Sequence, residues 1–336
     1  MLNVLVTGGA GFIGSNFVRY AIAQHPDWRI TTLDKLTYAG RRETLGDVLT
    51  HPRHEFVLGD VADAEIAAPL VQRSQLIFHF AAETHVDRSI AGAGEFLRTD
   101  VIGTYILLEA ARHARDLRRF VQISTDEVYG SVPSGHSVET DELKPRNPYS
   151  ASKTAADRLA YSFWATYGVP VVITRASNNY GPYQFPEKVI PLFVTNALEN
   201  RDLPMYGDGR QVRDWLHVLD HCRGIDVAAA RGESGEAYNI GGGNEIPNDE
   251  LARAILAVLG KPESLIQHVK DRPGHDRRYA LDCRKLRALG WEPNVAFSRG
   301  LTETIHWYRD NGWWWGPIKH HDAAYRTFYE AQYLHR

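Results

Sequence analysis

Val4-Leu5-Val6-Thr7-Gly8-Gly9-Ala10-Gly11-Phe12-Ile13-Gly14 is the stretch whose reading decides the fold. Leu2, Val4, Leu5 and Val6 form a short apolar run that predicts a strand stopping at Thr7. Glycines 8, 11 and 14 follow in GxxGxxG spacing, and Ser15 to Gln24 reads as a helix. A strand that enters glycines and leaves as a helix is a phosphate-binding turn. Bare backbone lets a pyrophosphate approach, and the helix N-terminus offers unpaired N–H donors with a favourable dipole. A second strand, Ile30 to Leu33, ends in Asp34, twenty residues after Gly14. An acid there accepts hydrogen bonds from a ribose diol and repels a 2′-phosphate, so the expected cofactor is NAD and not NADP.

The pattern repeats outward. Apolar runs Phe56–Leu58, Leu76–Phe80 and Phe120–Ile123 end in Gly59-Asp60-Val61, Ala81-Ala82-Glu83 and Ser124-Thr125-Asp126, each before a helix-compatible segment, the clearest being Thr99–Ala114. Such βα repeats define an α/β, Rossmann-type doubly wound parallel sheet whose ligands lie beyond the strand C-termini. Asp60 is expected at the adenine edge, and Ala81 and Ala82 are small enough for close passage of the cofactor. At about 150 residues per domain, 336 residues suggest two domains. Prolines 182, 186 and 191 and the triplet Gly241–Gly243 interrupt the repeat. The expected division is a nucleotide-binding unit over 1–177 plus about 214–240, and a smaller mixed substrate unit over 178–213 and 241–336.

Composition excludes several classes. With 38 Lys+Arg against 41 Asp+Glu the net charge is −3, which argues against nucleic acid or an anionic membrane as a partner held by bulk charge. Cys222 and Cys283 stand far apart, so neither a disulfide framework nor a thiolate metal site is expected. The fifteen histidines lack an HExxH pattern, and no metal is expected. No apolar run approaches the roughly 20 residues that span a bilayer. With the first strand beginning at Val4, a cytoplasmic location is expected.

The chemistry lies in two short segments. Tyr149 and Lys153 stand four apart in Pro148-Tyr149-Ser150-Ala151-Ser152-Lys153, on one face of a predicted helix. An ammonium near a phenol favours its phenolate and makes it a usable base. In Ser124-Thr125-Asp126-Glu127-Val128-Tyr129-Gly130, two adjacent carboxylates sit where the sheet delivers its substrate. A plain oxidation or 4-epimerisation needs no such pair; an elimination does, with one carboxyl donating a proton to departing water and the other removing a C–H proton.

These motifs resemble the extended short-chain dehydrogenase/reductases, and TGGAGFIGS, DKLTYAG, AAETHVDRSI, STDEVYG, YSASK, SNNYGPYQFPEK, GDGRQVRDW and RPGHDRRYA resemble its dTDP-glucose 4,6-dehydratase family from Leu2 to about Trp315. GDP-mannose dehydratases resemble the chain less. The resemblance implies C4 oxidation of dTDP-glucose, elimination of water across C5 and C6, and hydride return to C6, giving the 4-keto-6-deoxy sugar for deoxysugar biosynthesis. It implies Thr125, Asp126, Glu127, Tyr149 and Lys153 as catalytic, with Glu127 as C5 base and Asp126 as acid. It implies tightly bound NAD, regenerated each cycle, at Gly8, Gly11, Phe12, Ile13, Gly14, Asp34, Lys35, Leu36, Thr37, Asp60, Val61, Ala81, Ala82, Thr99, Tyr149, Lys153 and Asn179. Substrate contacts implied are Thr84, Thr125, Asn178, Lys188, Val189, Pro204, Tyr206, Arg213, Asn248, Arg272 and His275. Lys188, Arg213 and Arg272 suit a diphosphate. A homodimer is expected through the Thr99–Ala114 and Ser150–Tyr167 helices, with Ile106, Leu107, Leu159 and Phe163 in the shared face. Asn147 and His217 depart from the family pattern and are expected to leave the chemistry untouched. The Val132–Thr140 loop is a candidate access loop, and Trp313–Trp315 is expected as packing. The alternatives are a UDP-glucose 4,6-dehydratase, a nucleotide-sugar 4-epimerase or decarboxylase on this scaffold, and a non-catalytic NAD-sensing protein.

Overall fold

The computed structural model describes residues 1–334. Twelve strands run β1 Leu2–Thr7, β2 Trp28–Asp34, β3 His54–Leu58, β4 Leu76–His79, β5 Arg119–Thr125, β6 Val171–Ala176, β7 Asn178–Tyr180, β8 Leu203–Tyr206, β9 Val212–His217, β10 Ala237–Ile240, β11 Glu245–Pro247 and β12 Ile266–Val269. Seven form one sheet in the order β10-β6-β5-β4-β1-β2-β3, and every pairing in it is parallel. Val4, Leu5 and Val6 are all buried, as a strand covered on both faces requires. Val4 faces Ile30 across one ladder and Leu76 across the other. The chain steps outward from β1 through β2 to β3 and then restarts at β4 on the opposite side. The crevice beyond β1 and β4 is therefore the topological switch point, where such sheets hold ligands.

Helices cover both faces. The first helix, Phe12–Gln24, packs with Val218–Arg231 on one side, where Phe17 and Phe78 meet at 4.4 Å between ring centroids. Helices Ala64–Gln72, Thr104–Arg112 and Pro148–Tyr167 cover the other. The predicted Thr99–Ala114 helix begins as a π-helical segment, Leu97–Gly103, before turning α-helical. Pro148–Tyr167 starts at Asn147, whose side chain accepts the Ser150 N–H while the Ser150 hydroxyl accepts the Asn147 N–H. It stops at Gly168 in the left-handed region, φ +72°.

A second core lies beyond the sheet's C-terminal edge. Phe193, Leu251, Ile305, Tyr308, Trp314, Trp315 and Ile318 bring together helices Val189–Leu198, Asn248–Leu259, Phe297–Asp310 and Gly312–His321. Trp314 and Trp315 are packing residues, whereas Trp313 is 58% exposed. Two boundaries differ from expectation. Cys283, Leu286 and Trp291 pack in the nucleotide-side core. Asp214–His217 belongs to β9, which pairs with β7 and β11 in a small separate sheet. Hydrogen-bond pairing and apolar packing here join segments distant in sequence, which local composition does not register.

The Val132–Thr140 loop, the candidate access loop, is hydrogen-bonded to neighbouring segments. Val132 and Ser137 N–H groups donate to the Arg278 and Ala280 carbonyls, and Arg175 donates to the Glu139 carbonyl. No helix among the described residues is long and apolar enough to cross a membrane.

Candidate active site

The glycine turn is shaped by close backbone approach. Gly8 has φ +69°, and a Cβ there would lie 2.6 Å from the Ala81 nitrogen. A Cβ on Gly14 would lie 2.3 Å from the Gly8 carbonyl oxygen. Gly11 caps the first helix without a side chain, so no side-chain group takes up its leading N–H donors. Phe12 and Ile13, its first two residues, line the crevice. At the far end the buried Asp34 accepts from the Ala10 and Leu36 N–H groups at 2.9 and 2.8 Å. These bonds fix its carboxylate and leave lone pairs for a diol.

Two connected chambers open from this turn. Gly8, Gly11, Phe12, Ile13, Gly14, Asp34, Lys35, Thr37, Val61, Ala81, Ala82, Thr99 and Asn179 line the first, together with Thr125, Asp126, Glu127, Tyr149 and Lys153. Thr84, Asn178, Lys188, Val189, Pro204, Tyr206, Arg213, Asn248, Arg272 and His275 line the second. Thr84, Glu127, Asn178, Glu187 and Lys188 border both, so Glu127 stands at the passage between them. Leu36 and Asp60, expected at the cofactor, line neither. The Leu36 N–H is bonded to Asp34. Asp60 accepts from the Ala62 N–H and faces Lys35 and Arg98, each at 3.7 Å.

Thr125 ends β5, and Asp126–Tyr129 forms the 3-10 turn that follows. The Thr125 hydroxyl donates to Asp126 Oδ1 at 3.2 Å and accepts from the Glu127 N–H at 3.3 Å. Burial, then the negative charges of Glu127 and Asp214, push the Asp126 carboxyl well above the ordinary range, so it holds its proton. The Asn147 amide faces Glu127 Oε2 at 3.4 Å. The expectation that Asn147 leaves the chemistry untouched is thus corrected: the residue that caps the helix also reaches the second carboxylate. His217 does stay outside the chambers, edge-on to Tyr180 with ring centroids 5.3 Å apart.

Tyr149 and Lys153 share one helical face as the spacing predicts. Lys153 Nζ donates to the Ile123 carbonyl at 2.7 Å, and burial lowers its pKa. Burial and the nearby Glu127 and Asp100 carboxylates push the Tyr149 phenol well above its ordinary value. Burial and these carboxylates therefore favour the neutral phenol.

In the second chamber, Arg213 donates to the Val212 and Asp276 carbonyls and lies 4.6 Å from the Tyr279 ring centroid. Lys188 donates to the Thr84 carbonyl at 2.7 Å, and Arg272 faces Asp87 at 3.6 Å. His275 pairs with Asp271 at 2.6 Å. Asn178 Oδ1, Asn248 Oδ1 and Arg272 Nε are buried here without a protein partner: the two oxygens suit hydroxyl or N–H donors of a ligand, and the guanidinium N–H suits an anion. In the first chamber His221 Nε2 is likewise unpartnered. The open helix N-terminus and anchored Asp34 fit a dinucleotide pyrophosphate and ribose.

Sequence reading missed several residues. Glu187, paired with Arg88 at 2.9 Å, borders both chambers beside Lys188. His85 and Asp87 line the second chamber just past Thr84, a position that strand-end logic could have reached. His221 bonds Asn179 at 3.0 Å. Tyr333 returns from the far end of the chain, and nothing local signals it. Among the described residues no group of three His, Cys, Asp or Glu is placed to hold a metal ion.

Comparison with known proteins agrees with this geometry. Residues 5–304 match the family model described as GDP-mannose 4,6 dehydratase. A dTDP-glucose 4,6-dehydratase from Streptomyces niveus is 51% identical over 328 residues, covering 96% of this chain and 97% of that protein. The crystal structure of DesIV, a dTDP-glucose 4,6-dehydratase from Streptomyces venezuelae solved with NAD bound, superposes with a TM-score of 0.92 at 52% identity, over 94% of this chain and all of that one. A UDP-glucuronic acid 4-epimerase from Bacillus cereus shares the scaffold at TM-score 0.87 but only 26% identity, over 92% of this chain and 99% of that one. The relatives at half identity over nearly the whole chain decide between the two descriptions: the chain belongs to the dTDP-glucose 4,6-dehydratase family.

Proposed function

We propose that this protein is an NAD-dependent hydro-lyase converting dTDP-glucose to dTDP-4-keto-6-deoxyglucose in deoxysugar nucleotide biosynthesis. The observation that carries the reading is the carboxyl pair: Asp126 lines the first chamber directly beside Glu127, which stands at the passage between the two, and burial raises the Asp126 carboxyl toward its protonated form. A 4-epimerase has no use for that acid.

NAD, when bound, supplies the hydride acceptor and donor and a positive charge. The first chamber's glycine turn and Asp34 hold it. Tyr149 removes the C4 hydroxyl proton, Lys153 stabilises the phenolate, and Thr125 donates to the C4 oxygen. The 4-ketone acidifies the C5 hydrogen. Glu127 takes that proton while Asp126 protonates the C6 hydroxyl, and the C6–O bond breaks to release water. After hydride addition at C6, Glu127 returns the proton to C5 and the 4-keto-6-deoxy sugar leaves; Tyr149 then gives up the proton it took from the C4 hydroxyl and Asp126 regains one, which restores both groups for the next cycle. Lys188, Arg213 and Arg272 hold the diphosphate and Pro204 and Tyr206 flank the base, with Asn178, Asn248 and His275 completing the contacts. Mass spectrometry of products from dTDP-, UDP- and GDP-glucose tests the assignment. Loss of one water from dTDP-glucose is expected, and an unchanged mass with an inverted C4 would reject it.

The same reading extends to a cytoplasmic homodimer. Leu97, Ile102, Tyr105, Tyr161 and Tyr167 expose apolar surface on the segments around the Leu97–Arg112 and Pro148–Tyr167 helices. They replace the expected set: Leu107 and Phe163 are buried within the chain, and Ile106 and Leu159 pack against the same core. Light scattering at micromolar protein should give twice the chain mass, and a monomer would reject the dimer.

A further inference from the structure

Asp100 is buried outside the lining of both chambers. It lies in the π-helical Leu97–Gly103 segment, whose wider turn has an extra residue to accommodate. Its neighbour Thr99 lines the first chamber and accepts from Lys35, while Asp100 bonds elsewhere. Asp100 Oδ2 accepts from the Ser152 hydroxyl at 2.6 Å, one residue before Lys153. Oδ1 accepts from the Glu83 N–H at 2.8 Å. Glu83 and Thr84 border the first chamber, and the Thr84 carbonyl holds Lys188. One carboxylate thus joins the helix carrying Tyr149 and Lys153 to the wall that positions a substrate-side cation.

The surrounding charges are unequal. From the Pro148–Tyr167 helix come the Lys153 ammonium and the Tyr149 phenol, both of whose pKa values the Asp100 charge raises. Glu83 approaches from the segment after β4. His79 on β4 bonds Thr104, whose hydroxyl donates to the Asp100 carbonyl; burial keeps that imidazole neutral. Asp157, one turn beyond Lys153, is committed to Arg175. Burial pushes the Asp100 carboxyl up to about 6, so it is ionised at neutral pH.

We propose that Asp100 is a positioning residue for the proton-transfer machinery: it clamps the Glu83–Thr84 wall to the Pro148–Tyr167 helix and is the buried counter-charge of Lys153. The proposal rests on Tyr149 and Lys153 forming the base of the reaction, but its primary test does not need turnover. The chain has only eight lysines, so 13Cε-lysine labelling allows Lys153 to be followed by NMR against pH, with assignment through Lys153→Met. In Asp100→Asn the Lys153 midpoint should fall by about one unit, because a negative neighbour is removed at constant shape. Asp100→Glu, which keeps the charge, should retain the wild-type midpoint. In active enzyme, both limbs of the kcat–pH profile should move to lower pH in Asp100→Asn. A merely structural residue would lower kcat without moving either limb or the NMR midpoint. If Asp100→Asn does not fold, Ser152→Ala serves: losing one donor disfavours the ionised carboxylate, and the midpoint should move the same way by less. An unmoved Lys153 midpoint, or one that moves as far in Asp100→Glu as in Asp100→Asn, overturns the proposal. Absence of turnover in the wild type would instead reject the dehydratase assignment.

Discussion

At the scale of single residues, the chemistry depends on two adjacent carboxyl groups, Asp126 and Glu127. Burial, then the charges of Glu127 and Asp214, raise the Asp126 carboxyl well above its ordinary range and favour its protonated form. Glu127 stands at the chamber passage, within reach of Asn147. Replacing Glu127 by Gln leaves Tyr149, Lys153 and Thr125 in place, so C4 oxidation should persist while C5 deprotonation fails. Loss of a positioned general base costs about 10²–10⁴-fold in rate. Stopped-flow absorbance should show reduced nicotinamide building up, and quenched samples should contain 4-ketoglucose nucleotide with little 6-deoxy product. Tyr149→Phe should stall before any reduced nicotinamide appears. Asp126→Asn should resemble Glu127→Gln, since its proton is needed only when water departs. Dehydration by Glu127→Gln at the wild-type rate would make the acid pair a bystander.

At the scale of elements, the Pro148–Tyr167 helix links stability to catalysis through its first residue. Asn147→Ala removes the cap, costing about 1 kcal/mol, and thermal unfolding should shift down by about 2 °C. Asn147→Ser keeps a capping oxygen but cannot reach Glu127. It should unfold near the wild-type temperature while kcat falls severalfold. The middle of the same helix is tied to β6 by a buried pair, Asp157 with Arg175, at 2.9 and 3.0 Å. Despite burial, Arg175 holds the Asp157 carboxyl below its ordinary value. Its contribution is therefore complete above the unfolded pKa of about 3.9 and fades as pH falls through the lower folded value. Asp157→Ala strands a buried guanidinium and should cost about 3–5 kcal/mol at pH 7. In denaturant titrations that deficit should stay constant from neutrality to about pH 5 and shrink below about pH 4; a deficit that grows in acid would contradict the pairing.

At the scale of the whole molecule, the two chambers share a border, so cofactor and sugar nucleotide meet only when both cores are assembled. A cofactor restored in every cycle gains nothing by leaving. Purified protein should therefore release stoichiometric nicotinamide nucleotide on denaturation. Gly14→Ala should be purified without it, because its new Cβ would press on the Gly8 carbonyl and deform the turn. A nucleotide-free wild type would count against retained cofactor but not against the fold. The parallel sheet, the glycine turn, Asp34 and the placing of Thr125, Asp126 and Glu127 at the crevice were legible beforehand, since each lies within a few residues of a strand end. A βα unit is a local object: its apolar run, turn and helix start are contiguous, and the sheet sends its strand ends to one edge. Tyr149–Lys153 was legible for a similar reason, because helical spacing alone puts them on one face.

Tertiary structure decided the rest. Asp60 and Leu36 sit near the right strand ends but outside the lining of both chambers, with Asp60 facing Lys35, Arg98 and its own turn and the Leu36 N–H bonded to Asp34. Tyr333 and Glu187 enter the site from segments that only packing brings there. Charge state was equally out of reach of the sequence. Four-residue spacing suggested a phenolate next to an ammonium, but burial and two carboxylates keep Tyr149 protonated. Burial also makes one member of Asp126-Glu127 hold its proton. Residue type and spacing determine which groups can meet along one strand end or helix face. Desolvation and the charges of distant segments determine what state those groups are in when they meet, and these exist only once the chain has closed around them.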